Sequence, residues 1–147
     1  MRVRRIQVKV TPLPPRTAFI CTGASGISAV ACGVAVDSGH LYWASNSSGK
    51  LGRAALDGSE VQPSWMSPGK GHGCGIAVDA SSVYWATDSG VYSVPVGGGR
   101  PTPISESTAD NCGVAVNAAH LYWASGEVPI ERDPLSAGPP TAIVQAP

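Results

Sequence analysis

The sequence is poor in charge. Charged residues make up 14% of its 147 positions, ten basic against ten acidic, for a formal net charge of zero. A nucleic-acid binder needs a basic footprint that displaces phosphate counterions, and this chain has none. Partner choice by long-range electrostatics is excluded on the same ground. The one concentration of charge is MRVRRIQVK at the start, with Arg2, Arg4, Arg5 and Lys9; it reads as a solvated end. Helix signals are scarce too, because no window carries a clean apolar 3.6-residue period between caps. No run of 18 apolar residues occurs, so no helical membrane span is expected. The basic N-terminus runs into TPLPP and not into an apolar stretch, so it is not a secretory leader as it stands. That leaves a cytoplasmic protein, or a processed or truncated piece of an exported one. The four cysteines show no C-x-x-C or other zinc spacing.

What the chain does have is apolar content, glycine and proline. Hydrophobic residues reach 43%, enough for one ordinary domain with a core. With 18 glycines and 13 prolines, many short elements separated by tight turns are expected. One phrase then recurs: CGVAVDSGHLYWAS (32–45), CGIAVDASSVYWAT (74–87) and CGVAVNAAHLYWAS (112–125). The repeat starts are 42 and 38 residues apart. Periods near 40 belong to four-stranded propeller blades or to helical pairs, and the local pattern rejects helices.

The second unit shows why. GIAVD (75–79) is a short apolar strand, and SVYWAT (82–87) is rich in the β-branched and aromatic residues that favour strands. VYSVPV (91–96) and TPIS (102–105) complete the unit, the prolines suiting a sheet edge. GGGR (97–100) lacks a strand–loop–helix context, so it is a hairpin turn and not a phosphate loop. The first unit runs through GVAVD, HLYWAS, KLGRAAL and VQPSWM. The third runs through GVAVN, HLYWAS, VPIER and TAIV. Each predicts a small antiparallel meander that buries both faces only by packing against its copies. Residues 6–20 align over 91–104, so the chain is expected to open on the third and fourth strands of a blade.

At these residues the chain resembles β-propeller repeat proteins of the YWTD, NHL and streptogramin-lyase-like kind. GVAVDSGHLYWASNSSGKLGRAALDGS (33–59) carries the run that resembles their blades, although YWAS and YWAT stand where YWTD is usual. The resemblance implies an all-β fold of four-stranded blades. The units are a half blade over 1–31, then blades over 32–73, 74–111 and 112–147. Three and a half blades do not close a ring. A ring completed by dimerisation, or by further blades of a longer chain, is therefore expected. The resemblance also implies an extracellular or cell-surface location.

The same likeness puts the first strand of each blade innermost, with its cysteine at the channel mouth. Sheets pack about 10 Å apart, whereas a disulfide needs Cα atoms about 4.4–6.8 Å apart. Cys32, Cys74 and Cys112 are accordingly read as small packed residues. Cys21 and Cys32 flank one inter-blade loop and are the candidate disulfide. The Tyr–Trp pairs send their rings to opposite faces, both of which meet neighbouring blades, so they are core residues. Asp37, Asp79 and Asn117 are read as turn residues bonding local amides. The candidate ligand-binding residues lie in the loops of one face: Lys70, His72, Asp110 and Asn111 from inter-blade loops, with Asn46 and Asp88 from turns. They form no nucleophile–base–orienter order. The expected function is a non-enzymatic module for protein or ligand binding and assembly, with no cofactor. The competing reading is a metal-dependent lyase or lactonase-like hydrolase at the channel mouth, which alone calls for a divalent cation.

Overall fold

The computed structural model describes residues 31–46, 48–67, 71–106, 111–125, 128–135 and 141–142. Of strand residues 31, 32, 111, 112, 125, 128, 129, 141 and 142 it describes the backbone only. The half blade expected over 6–20 lies outside these residues, as do Cys21, Lys70 and Asp110.

The described residues form three four-stranded antiparallel sheets and no helix. The first sheet contains β1 (Ala31–Val36), β2 (His40–Ser45), β3 (Leu51–Ala55) and β4 (Gln62–Met66). The second contains β5 (Gly73–Val78), β6 (Ser82–Thr87), β7 (Gly90–Pro95) and β8 (Thr102–Ser105). The third contains β9 (Asn111–Val116), β10 (His120–Ser125), β11 (Val128–Pro134) and β12 (Thr141–Ala142). In each sheet the strands lie side by side in chain order, as tight turns between neighbouring strands require. Pro63 and Pro103 fall on the edge strands β4 and β8, where a missing amide breaks no ladder. The sheets are the blades of a partial β-propeller, and are called blades 1, 2 and 3 below.

Register is common to all three. Val34, Ile76 and Val114 stand opposite Trp43, Trp85 and Trp123. Alternation along the second strand then sends tyrosine and tryptophan to opposite faces. The forward face of a blade, towards the next one, carries the tyrosine, and the rear face carries the tryptophan. Between blades 1 and 2, Tyr42, Ala44 and Leu51 pack against Ile76, Val83, Trp85 and Val94. Between blades 2 and 3, Tyr84, Ala86 and Val91 pack against Leu121 and Trp123. Each large side chain buried there contributes on the order of 2 kcal/mol. Repetition is thus what buries both faces of blade 2.

The seam between inner strands β1 and β5 is tight. A β-carbon on Gly33 would lie 3.1 Å from the Ile76 amide nitrogen and 3.2 Å from the Cys74 carbonyl oxygen. Glycine here lets two backbones approach more closely than ordinary sheet faces do.

Candidate functional site

Each blade is clipped at one end. Asp37 Oδ1 accepts the amides of Gly39 and His40, both at 2.7 Å, while Oδ2 accepts the Tyr42 hydroxyl at 2.9 Å. Asp79 repeats this, taking the Ser81 and Ser82 amides at 2.7 and 2.8 Å and the Tyr84 hydroxyl at 2.9 Å. In blade 3, Asn117 Oδ1 takes the Ala119 and His120 amides, and its Nδ2 donates to the Tyr122 oxygen at 3.3 Å. The amide bonds are those expected of turn residues. The tyrosine bond spans five residues and a strand pleat, and turn chemistry alone does not disclose it.

These bonds fix the charge states. Burial opposes ionisation of Asp37, yet the two amides, the Tyr42 hydroxyl and His40 outweigh it and hold the carboxyl below its ordinary value. Asp79 is lowered in the same way, with burial again opposed by the Ser81 and Ser82 amides, the Ser81 side chain and the Tyr84 hydroxyl. Burial, and then the bond to the neighbouring carboxylate, push Tyr42 and Tyr84 up to about 12. His40 and His120 sit at this same end, their rings 5.9 and 6.0 Å from those of Tyr42 and Tyr122. This end is built for structure.

The opposite end carries the candidate loops. His72 donates its amide to Asp88 Oδ1 at 3.1 Å, and its ring Nδ1 lies 3.0 Å from Oδ2. The inter-blade segment leading to β5 is therefore tied to the β6–β7 turn of its own blade. Gly71 makes the tie feasible: its φ is 105°, and a β-carbon there would collide with the Asp88 carboxylate. The same segment touches blade 1, where the Gly71 carbonyl lies directly over Gly49 and Gly73 lies over the Ser45 carbonyl. Half-buried Asn46 follows Ser45. The structure thus joins His72 to Asp88 and seats their segment beside the turn that holds Asn46. The Asn111 backbone opens β9, and its side chain, with Lys70 and Asp110, is outside the description.

Both members of the pair are accessible, the His72 side chain at 64% and that of Asp88 at 37% exposure. The polar residues behind them hold the turns. The hydroxyl of buried Thr87 donates to the Gly90 carbonyl at 3.1 Å and accepts the Ser89 amide at 3.1 Å. Ser48 donates to the Ser45 hydroxyl at 2.9 Å. Among the described residues, no three His, Cys, Asp or Glu side chains are grouped as metal binding needs.

The reading of Cys74 as a packed small residue is corrected. Cys74 is disulfide-bonded. Its partner is one of the chain's other three cysteines, Cys21, Cys32 and Cys112. The mean separation of packed sheets does not hold everywhere between these blades: at Gly33 the β1 and β5 backbones approach more closely than that. The pairing of Cys21 with Cys32 lies outside the described side chains. One further contact went unread in the sequence: the Arg53 guanidinium lies 4.8 Å over the Trp65 ring and donates Nη1 to the Val96 carbonyl at 3.2 Å across the first seam.

No protein-family profile and no curated protein matches the chain. Solved structures do. The nidogen/laminin complex contains a chain matched at TM-score 0.71 and 21% identity, over 80% of this chain and 49% of that one. Streptogramin B lyase matches at TM-score 0.63 and 9% identity, over 77% of this chain and 40% of the other. BamB from Moraxella catarrhalis matches at TM-score 0.60 and 16% identity, over 78% and 36%. The chain spans about half the length of the nidogen/laminin chain and less of the other two. All three are β-propellers, and what the likeness establishes for this chain is the fold.

Proposed function

We propose that the chain is a non-enzymatic propeller module that binds a protein or small ligand on its loop-bearing face and assembles through its end faces. The observation that carries the first half is the His72–Asp88 pair. It is accessible, joins the inter-blade segment to the β6–β7 turn, and is set beside a second turn from blade 1. Asp88 is engaged by both the amide and the ring of His72, and Thr87 and Ser45 hold backbone turns. The described polar groups therefore serve presentation of loops, as in scaffolds that carry variable binding segments on rigid sheets. Nidogen, in its complex with laminin, is a propeller neighbour that binds a protein. The assembly half draws on the apolar residues that the described parts of blades 1 and 3 expose, Val34, Val36 and Leu56 on one and Ile130 on the other. The Cys74 disulfide supports an oxidising compartment.

The test is binding to arrayed peptides and glycans by wild type and by Asp88→Ala, with native mass spectra before and after chelation. Selective binding that Asp88→Ala weakens at least tenfold is expected, with no change of mass on chelation. A retained divalent ion whose removal abolishes hydrolysis of a lactone would instead establish the enzyme reading.

A further inference from the structure

The two packed seams share their apolar interlock and differ at two positions. In the first seam Arg53, opposite Tyr42, crosses to donate to the Val96 carbonyl. Val94, opposite Val83 on the rear face of blade 2, is buried in the same seam. In the second seam the position of Arg53 belongs to Ser93, opposite Tyr84. The position of Val94 belongs to Asp133, opposite Leu121. Directly opposed residues of an antiparallel pair share a face. Leu121 is fully buried against Tyr84, Ala86 and Val91 of blade 2, so Asp133 projects into that seam as well. Its Oδ1 is buried and has no hydrogen-bond partner. Burial holds the carboxyl above its ordinary value.

The groups around Asp133 do not offset its burial. On its own strand, Arg132 stands opposite Tyr122 and so on the other face, while Glu131, opposite Trp123, shares the face and the sign of Asp133. On β10, His120 lies beside the Tyr122 ring, away from this seam. From blade 2, Tyr84 faces the seam, but its hydroxyl is given to Asp79; Tyr92 stacks on Trp85 at the other face. Cys74 of β5 is disulfide-bonded, and the Cys112 side chain of β9 lies outside the description. Strands β8 and β12 hold no titratable residue, and Arg100 and Glu106, which flank β8, are exposed. Among the described residues no ion pair includes Asp133.

Blade 3 also differs at its clip, where Asn117 makes the bonds of Asp37 and Asp79 without a charge to titrate. Acid therefore weakens the clips of blades 1 and 2 and leaves that of blade 3 alone. We propose that Asp133 makes the seam between blades 2 and 3 a proton-sensitive joint, docked when its carboxyl is protonated and loosened when it ionises. Because burial favours the protonated acid, the stability of this seam is full below the ordinary carboxylate value and is lost as pH rises through the raised one. Asp37 and Asp79 respond in the opposite sense and in a lower range.

The experiment is amide hydrogen exchange of the oxidised full chain between about pH 4 and about pH 7, each rate divided by that of the same amide in an unstructured peptide. Relative to β1 and β2, protection of β9 and β10 in wild type is expected to fall at least about threefold across this range. Asp133→Val supplies the side chain that the first seam uses, and Asp133→Asn keeps the size while losing the charge. Either variant should abolish the fall, and the second serves if the first does not fold. A wild-type ratio that stays constant with pH overturns the inference, as does a folded variant whose ratio falls as far as that of wild type.

Discussion

Replacing Cys74 by serine removes the disulfide, and the size of the effect follows from the chain. A cross-link stabilises mainly by shortening the conformational reach of the unfolded state, in proportion to the logarithm of the loop it closes. Cys74 is 53, 42 and 38 residues from Cys21, Cys32 and Cys112. Because the dependence is logarithmic, all three loops give about 4 kcal/mol. The predicted cost is thus insensitive to which partner is used. For a chain of this size each kcal/mol moves Tm by about 2–4 °C, so Cys74→Ser should melt about 8–16 °C below wild type. Wild type in reductant should fall by a similar amount. Circular dichroism melts in oxidising and reducing buffer measure both, and peptide mapping without reduction confirms the bond. An oxidised wild type and a Cys74→Ser variant that melt within about 2 °C of each other would refute the cross-link argument.

The blade clips give three more expectations. Asp79→Ala strands two amides and a buried hydroxyl and should cost about 2 kcal/mol by urea unfolding, whereas Asp79→Asn should cost less, since Asn117 already makes the equivalent bonds. Asp37 and Asp79 are held below their ordinary values, so the stability they add is present above the ordinary carboxylate range and is lost as pH falls through the lowered values. Denaturant midpoints should therefore drop on acidification, and less so in Asp37→Asn/Asp79→Asn. Tyr42 and Tyr84 are raised to about 12, so their contribution is full below the ordinary tyrosine value and is lost as pH rises from about 10 to 12. Ultraviolet titration should show these two phenols ionising late, together with unfolding. Gly33→Val forces side-chain atoms against the Ile76 and Cys74 backbones and should cost about 1–3 kcal/mol, with blade 1 exchanging amide hydrogens faster than blades 2 and 3.

The strands were readable because period, alternation and turn residues agree three times over. SVYWAT and TPIS appear as β6 and β8 without a shift of boundary. That tyrosine and tryptophan point to opposite faces was readable from alternation alone, whereas their meeting across each seam is seen only in the packed blades. The cysteines were not, because a disulfide depends on how close the fold brings two Cα atoms, which neither spacing along the chain nor the mean distance between sheets declares. His72 stood out as the residue by which one copy differs from the others. Its partner Asp88 was named for its position, and the bond between them depends on Gly71 adopting a positive φ that sequence does not declare. Arg53 and Arg132 give no signal in the sequence, because a lone arginine on a strand carries no pattern; their shared register becomes visible only once the sheets are paired.

The Asp–Tyr clip has a bearing on how such a chain changes length. Every clip closes between residues five apart, inside one blade. What passes between blades is chiefly apolar packing whose chemistry is the same at each seam. As far as the clips are concerned each blade is complete in itself, so inserting or deleting one leaves the clips of all the others intact, and the Cys74 disulfide is the covalent tie that joins one unit to another. Blade number in such a molecule is set by whatever closes the ends, and local folding places no limit on it.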